Sequence, residues 1–267
     1  MEGHSFDDGY ITGSRIKVKR AGKHLNELER KVRSFVKRHP EDYTRQLDPQ
    51  NFNYLVYEIV PNRPPPVTLG PVFGDVVHNL RSTLDHIAWN LALRNLTGSG
   101  VEPFDRTAFP LIRNCTDGSI DAFCRLTQDI LPAAIPDIWE FQPANSRKPH
   151  DHPLAVLDRL WNADKHRVNT KIPGRQIIPM FTTPGGQVTK LKNGNRRIVV
   201  PKWKQADFEE ALRTEILFEI PKTHERVGLV ALRLINDFIR DEVVPRFSRF
   251  LPESTRLVER RQGITLG

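Results

Sequence analysis

Cysteine is nearly absent. Cys115 and Cys124 are the only two in 267 residues, and no CxxC spacing joins them. They are too few for a disulfide framework and wrongly spaced for a zinc or redox motif, so they read as core residues of a protein from a reduced, cytoplasmic compartment. No apolar run approaches the roughly 20 residues that cross a bilayer, and the opening MEGHSFDDGY lacks the apolar centre of a signal peptide. No membrane partner is therefore expected. A P-loop, a GxGxxG turn, a GxSxG elbow, an HExxH or ExxH pair and a heptad run are missing too. Nothing thus points to a phosphate-cradling loop, a dinucleotide cofactor, a hydrolase serine or a helical zinc site, and no cofactor is expected.

Hydrophobic residues make up 38% and charged residues 27%, the balance of a globular chain without a low-complexity linker. Length and pattern predict a loose tail over 1–14 and a single α+β domain over 15–262. The formal charge is +8 and the isoelectric point near 9.7. Arg15 to Arg38 holds ten Lys or Arg against Glu27 and Glu29, and Gln187 to Lys204 holds six basic residues and no acidic one. Either stretch fits a phosphate backbone, and RNA or another anionic ligand is the expected partner. A Lys-rich helix surface without any ligand accounts for the same charge.

Periodicity places the elements. A helix is expected from Ser14 or Arg15 to Arg38, cored by Val18, Ala21, Leu25, Leu28, Val32, Phe35 and Val36 and stopped by His39-Pro40. Asn53 to Val60 reads as a strand, PNRPPP as a stiff connector, and Pro71 to Leu96 as the central helix, stopped by Thr97 to Gly100. Phe104 to Arg113 is expected as a loop or edge strand. Ser119 or Asp121 is expected to cap a helix to Ile130, Pro136 to open a turn through Phe141, and Gln142 to Asp151 to be a polar loop. His152 to Asn169 is a second amphipathic helix opened by Pro153. Three strands follow, at Gln176 to Thr182, Arg197 to Trp203 and Glu215 to Ile220, with turns at Pro184-Gly185-Gly186 and Asn193-Gly194-Asn195. A last helix, capped by Thr223 and cored by Val227, Val230, Leu234, Phe238 and Val244, is bent or ended by Pro245. The sum is a bundle of four to five helices (15–170 and 223–250) with a small, mainly antiparallel sheet (53–60 and 176–220).

The chemistry-bearing residues lie on the two central helices. At about 100° per residue, His78, Arg81, Ser82, Asp85, His86 and Trp89 share one side of the first, opposite Val76, Val77, Leu80, Leu84, Ile87, Leu91 and Leu93. The second carries Asp158, Asn162, Lys165, His166 and Asn169 beside a core stripe of Leu154, Leu157, Leu160, Trp161 and Val168. Side-by-side packing would let the stripes meet. Two imidazoles, a guanidinium and a carboxylate in one stripe titrate, orient one another and bind anions. Trp89 and Trp161, at helical core spacing, read as packing anchors.

Arg81-Ser82-Thr83-Leu84-Asp85-His86 resembles the RxxxxH motif of the HEPN superfamily, helical-bundle proteins that include many metal-independent ribonucleases. In that superfamily the position after the arginine is usually Asn, Asp or His, the motif lies on a late helix, and it is paired across a dimer; here the position is Ser82 and the motif lies mid-chain. The resemblance implies that Arg81 binds a scissile phosphate, that His86 acts as general acid or base, and that a homodimer completes the site. His78, Ser82, Asp85, Asn162, Lys165 and His166 would then line the substrate path. The wider pattern HNLRSTLDH followed by NADKHR resembles a family of bacterial proteins of about this length, a likeness that implies no activity.

The residues themselves leave alternatives open. Arg81 and Asp85, at i and i+4, also make an intrahelical ion pair, and His78 and His86 then become satisfied groups of a polar network. Asp164, His78, Asp85, His86 and His166 offer nitrogen and oxygen ligands, but Arg81 among them repels a divalent cation, so no metal is expected. Ser82 one turn before His86 makes a weak nucleophile, since a helical serine bonds its own backbone. Two readings stand: a ribonuclease centred on Arg81 and His86, or a non-catalytic binding protein in which the stripes are structural or recognise an anion.

Overall fold

The spacing of Val18, Ala21, Leu25, Leu28, Val32 and Phe35, alternately three and four residues, lays one apolar stripe along a helix, and all six are buried. In the computed structural model that helix, α1, spans Thr12–Arg38. The structure describes residues 11–38, 43–59, 65–165, 175–179, 188–190, 196–206, 209, 212–219 and 225–253. Residues 1–10 of the expected tail, the His39-Pro40 stop, residues 60–64 of the connector, His166 to Asn169, both glycine turns and the Thr223 cap lie outside them; residues 11–14 are not a loose tail, since Ile11 and Ser14 are fully buried and α1 begins at Thr12. The chain gathers into two compact units: residues 1–27, 71–169 and 230–267 form one, residues 28–70 and 170–229 the other. The architecture is α+β with a helical bundle.

The first unit is built around α2, Leu69–Asn95. Phe73, Val76, Val77, Leu80, Leu84, Ile87, Leu91 and also Thr83 and Asn90 are buried, an arc wider than the amphipathic pattern predicts, while Leu93 is half-buried. The helix ends as expected, with Gly98 and Gly100 at φ of +82° and +70°, a region open to glycine at little cost. The segment from Phe104 to Arg113 is a loop.

Helix α3, Asp117–Thr127, is capped by Thr116 rather than by Ser119 or Asp121, and the Thr116 oxygen accepts from the Ser119 amide. Helix α4 spans Ile135–Glu140. The stretch expected as a polar loop begins with two buried residues, Gln142 and Pro143. Gln142 Oε1 accepts from the Ile112 amide at 2.8 Å, and its Nε2 donates to Ile138 O at 2.7 Å. A buried amide satisfied on both sides belongs to the core. Helix α5 spans Pro153–Lys165.

The last helix differs from expectation. Val227 lies in a strand, α6 spans Leu229–Phe238, and Val230 and Leu234 are exposed while Leu232, Ile235, Ile239 and Val243 are buried. Pro245 does not end it: a π-helical turn at Ile239–Val243 widens the helix, which continues as α7, Val244–Phe247, with Pro245 in its first turn. Proline is tolerated there because first-turn amides need no intrahelical acceptor. Around this segment Phe109, Phe141, Phe238, Phe247 and Phe250 form a chain of ring contacts 5.9 to 6.4 Å between centroids.

The second unit holds the strands, all paired antiparallel. Strands β1 (Tyr43–Leu47), β2 (Tyr54–Ile59), β4 (Val188–Lys190) and β5 (Arg196–Pro201) form a sheet in the order β1-β2-β5-β4. Strand β3 (Arg175–Pro179) pairs with β6 (Leu212–Ile216), and β7 (Phe218–Glu219) with β8 (Arg226–Val227). Leu55 pairs with Val200 and Tyr57 with Ile198, and these four side chains make one buried cluster. Tyr57 is fully buried, and its hydroxyl donates to Glu209 Oε1 at 2.8 Å. Burial first and that hydrogen bond second push its phenol pKa upward.

Candidate functional site

The stripe of α2 lands on three different neighbours. Arg81 spans one turn to Asp85, with Nε 3.0 Å from Oδ2 and Nη2 2.8 Å from Oδ1, the parallel pair of bonds that a planar guanidinium makes with a carboxylate. The same Nη2 donates to the carbonyl of Phe109 at 2.9 Å, and Asp85 Oδ1 accepts from the Phe109 amide at 3.2 Å. One ion pair thus satisfies both polar backbone groups of a residue buried to 0% exposure. The Arg81 side chain is 11% exposed and that of Asp85 37%. Their product is a fixed loop, and it delivers the Phe109 ring edge-on to Phe247.

His86 lies at the opposite edge of the same stripe, roughly 140° around α2 from Arg81, and meets a different neighbour. Its Nδ1 is buried, and a Cβ added to Gly13 of α1 would lie 2.9 Å from that atom and 3.0 Å from Cε1. The ring is therefore packed against the α1 backbone, and Gly13 makes the close approach possible. Ser82 and Trp89 are half-buried.

Helices α2 and α5 do meet, at His78, whose exposed imidazole lies 5.4 Å from the Trp161 ring. On α5, Asn162 is exposed and donates to Asp158 Oδ1 at 3.2 Å, while Asp158 pairs with Arg113. The side chains of Asp164 and Lys165, and all of His166, lie outside the described residues. Among the described residues no group of three or more His, Cys, Asp or Glu side chains comes together as a metal would require. Cys115 and Cys124 are free and exposed, not core residues.

Polar groups that the sequence pattern does not single out hold the unit together. Asp137, its side chain 8% exposed, takes Arg246 at 3.4 Å and Arg249, and Arg246 also reaches Glu140 at 2.9 Å. A buried carboxylate needs such partners, and here they tie α4 to the C-terminal helix. Arg159, buried, donates to His150 O at 2.9 Å. His152 accepts the Leu154 amide on Nδ1 at 3.2 Å and opens α5, and burial holds its pKa below the ordinary value. No periodicity announces these residues: Asp137 answers partners more than a hundred residues away, and Arg159 and His152 answer backbone groups at or just before the start of α5.

The exposed face of α1 has a different character. In the first unit its exposed residues include Arg15, Lys19, Arg20 and Lys23; in the second they include Arg30, Lys31, Arg33, Lys37 and Arg38. The other exposed positions are Ile16, Asn26 and Ser34, and Glu27 and Glu29 are only half-exposed. Arg15 is engaged by Glu253, and Arg38 Nε donates to Ser34 O at 3.3 Å. Within α1 itself no exposed carboxylate interrupts this row of cations, and among the described residues Glu253 reaches it from outside the helix at Arg15; such a row is what a phosphate backbone requires of a protein surface.

Fold and charge together define an α+β protein with a helical bundle, an inward polar network and an outward basic helix. Compared with protein-family models, curated proteins and solved structures, the chain finds no match. Among the described residues no helix is long and apolar enough to cross a membrane.

Proposed function

We propose that the chain is a non-catalytic RNA-binding protein that contacts phosphates through the exposed face of α1 and uses the α2 stripe as internal structure. The observation that carries this reading is the nine exposed Lys and Arg side chains along one 27-residue helix, with no exposed carboxylate among them. The α2 stripe supports the same conclusion from the other side. The Nε and Nη2 edge of Arg81 that would fork onto a scissile phosphate is already taken by Asp85, and His86 Nδ1 is buried against Gly13 of α1.

Fluorescence anisotropy with a labelled duplex RNA across a KCl series tests this, alongside incubation of the same RNA in EDTA. Binding is expected with a log–log salt slope of about −4, as for four to five phosphate contacts, and without cleavage. Lys19→Glu with Lys23→Glu should weaken binding at least tenfold and flatten the slope by about 2. Arg81→Ala, where folded, should bind as the wild type does. Metal-independent cleavage that disappears in folded Arg81→Ala and His86→Ala variants would overturn the proposal in favour of a HEPN-like ribonuclease. Absence of RNA binding at low salt would overturn it outright.

A further inference from the structure

The second unit exposes two large aromatic side chains at one end of its four-stranded sheet. Phe52 is 68% exposed and Trp203 78%, the former just before β2 begins and the latter just after β5 ends. Tyr54 pairs with Pro201, and the Lys202 amide donates to Asn53 O at 2.9 Å, so the β2–β5 ladder runs one step further and brings the two segments alongside each other. Neither ring is exposed for want of order. The turn carrying Phe52 is closed by Asn51 N to Asp48 O at 3.2 Å, Tyr54 N to Asn51 O at 2.9 Å and Asp48 N to Tyr54 O at 3.0 Å, and Trp203 is the centre of a 3-10 turn, Lys202–Lys204.

A lone surface aromatic is ordinary and needs no ligand. Here the cations decide. Lys202 is exposed beside Trp203, and Lys204 Nζ lies 4.7 Å from the indole centroid, a cation–π contact that places an ammonium at the ring. Of the described acidic groups on these segments, Asp48 accepts the Gln50 amide, and Glu209 is held by Tyr57, Arg45 and Gln205. An aromatic face for a base and an ammonium for the adjoining phosphate are the two parts of a single-strand binding surface.

We infer that this end of the sheet binds a single-stranded stretch of nucleic acid, with bases stacked on Trp203 and Phe52 and phosphates met by Lys202 and Lys204. The inference rests on the nucleic-acid-binding reading above and adds a second contact, one that α1 does not supply. It is tested on the full chain with a fluorescein-labelled oligo(U) of about twelve nucleotides, within the size range such surfaces cover, and with a blunt RNA duplex. Trp203→Ala is expected to weaken oligo(U) binding about tenfold or more and to leave duplex binding unchanged. Trp203→Phe keeps a stacking ring and should retain most of the affinity; Phe52→Ala should lower it by a smaller factor. Equal denaturation midpoints would confirm that these surface variants fold. Wild-type affinity for oligo(U) in Trp203→Ala, with duplex binding intact, would overturn this inference alone, and so would capture of anionic lipid vesicles through Trp203 in place of oligo(U). Absence of binding to both RNAs by the wild type would overturn the wider reading with it.

Discussion

Arg81→Ala is the sharpest test of the inward role of the α2 stripe. The substitution removes the two bonds to Asp85, at 3.0 and 2.8 Å, and the 2.9 Å bond to Phe109 O. The ion pair alone is worth little, because Asp85 is 37% exposed and an intrahelical pair near solvent contributes about 0.5 kcal/mol. The larger effect comes from Phe109, whose carbonyl is left in a fully buried residue without its donor, a loss of about 1–3 kcal/mol. A total near 2–3 kcal/mol is expected. Arg81→Lys keeps the charge but not the fork, and should lose about half of that. Urea denaturation followed by tryptophan fluorescence measures the effect. In a Trp203→Phe background the remaining Trp89, Trp139 and Trp161 all belong to the first unit, so the transition reports on the right part of the chain. An Arg81→Ala variant within about 0.5 kcal/mol of the wild type would refute the structural role, since no buried acceptor can lose its donor at so small a cost.

Three further outcomes follow from the same geometry. Gly13→Ala should destabilise by about 1 kcal/mol despite the better helix propensity of alanine, because its Cβ would lie 2.9 Å from His86 Nδ1; His86→Ser should relieve the defect in the double variant, as read by urea midpoints. His152 has a depressed pKa, so its contribution is complete above the unfolded value near 6.5 and is lost as pH falls through the folded value; stability measured from pH 7.5 to 5 should decline for the wild type and decline less in His152→Asn, which keeps a capping oxygen for the Leu154 amide. Tyr57→Phe should cost about 1 kcal/mol and let the Glu209 carboxyl titrate closer to its ordinary range, because the phenol hydrogen bond is the largest of the effects that lower it; carbon-detected NMR titration of Glu209 reads the shift.

Helices with strict apolar periodicity were legible without coordinates. The stripe of Val18 to Phe35, the run from Val76 to Leu91 and the stripe of Leu154, Leu157 and Leu160 each lie in the expected helix, and Tyr54–Ile59 lies in the expected strand. Strand β1 was not legible: YTRQL is exposed at all five positions and shows no alternation. The final helix was misplaced because Val227, Val230 and Leu234 also fit a helical period, and a π-helical turn shifts the face that meets the core. In the candidate site the membership of the stripe was readable and its surroundings were not. Helical period says which residues share a side; it does not say that Phe109 covers Arg81 or that Gly13 covers His86. Those partners are a backbone carbonyl and a missing side chain, and neither leaves a pattern in the sequence.

The two kinds of positive charge in this chain differ in what surrounds them, and that difference separates binding from architecture. A guanidinium at 11% exposure beside a carboxylate and a carbonyl has already exchanged water for protein partners, and releasing it to a phosphate would leave Phe109 O without its donor and Asp85 without its cation. Lys19, Arg20 and Lys23, exposed on α1, keep their water and counterions, and giving those up to a phosphate carries no such internal cost. On the proposed reading an anion therefore gains more from the exposed cations of α1 than from the Arg81–Asp85 pair, for all its resemblance to a catalytic motif. Evolution of a nuclease from this scaffold would first have to free the Phe109 loop, at the expense of the aromatic contacts with Phe247 that the loop now sets.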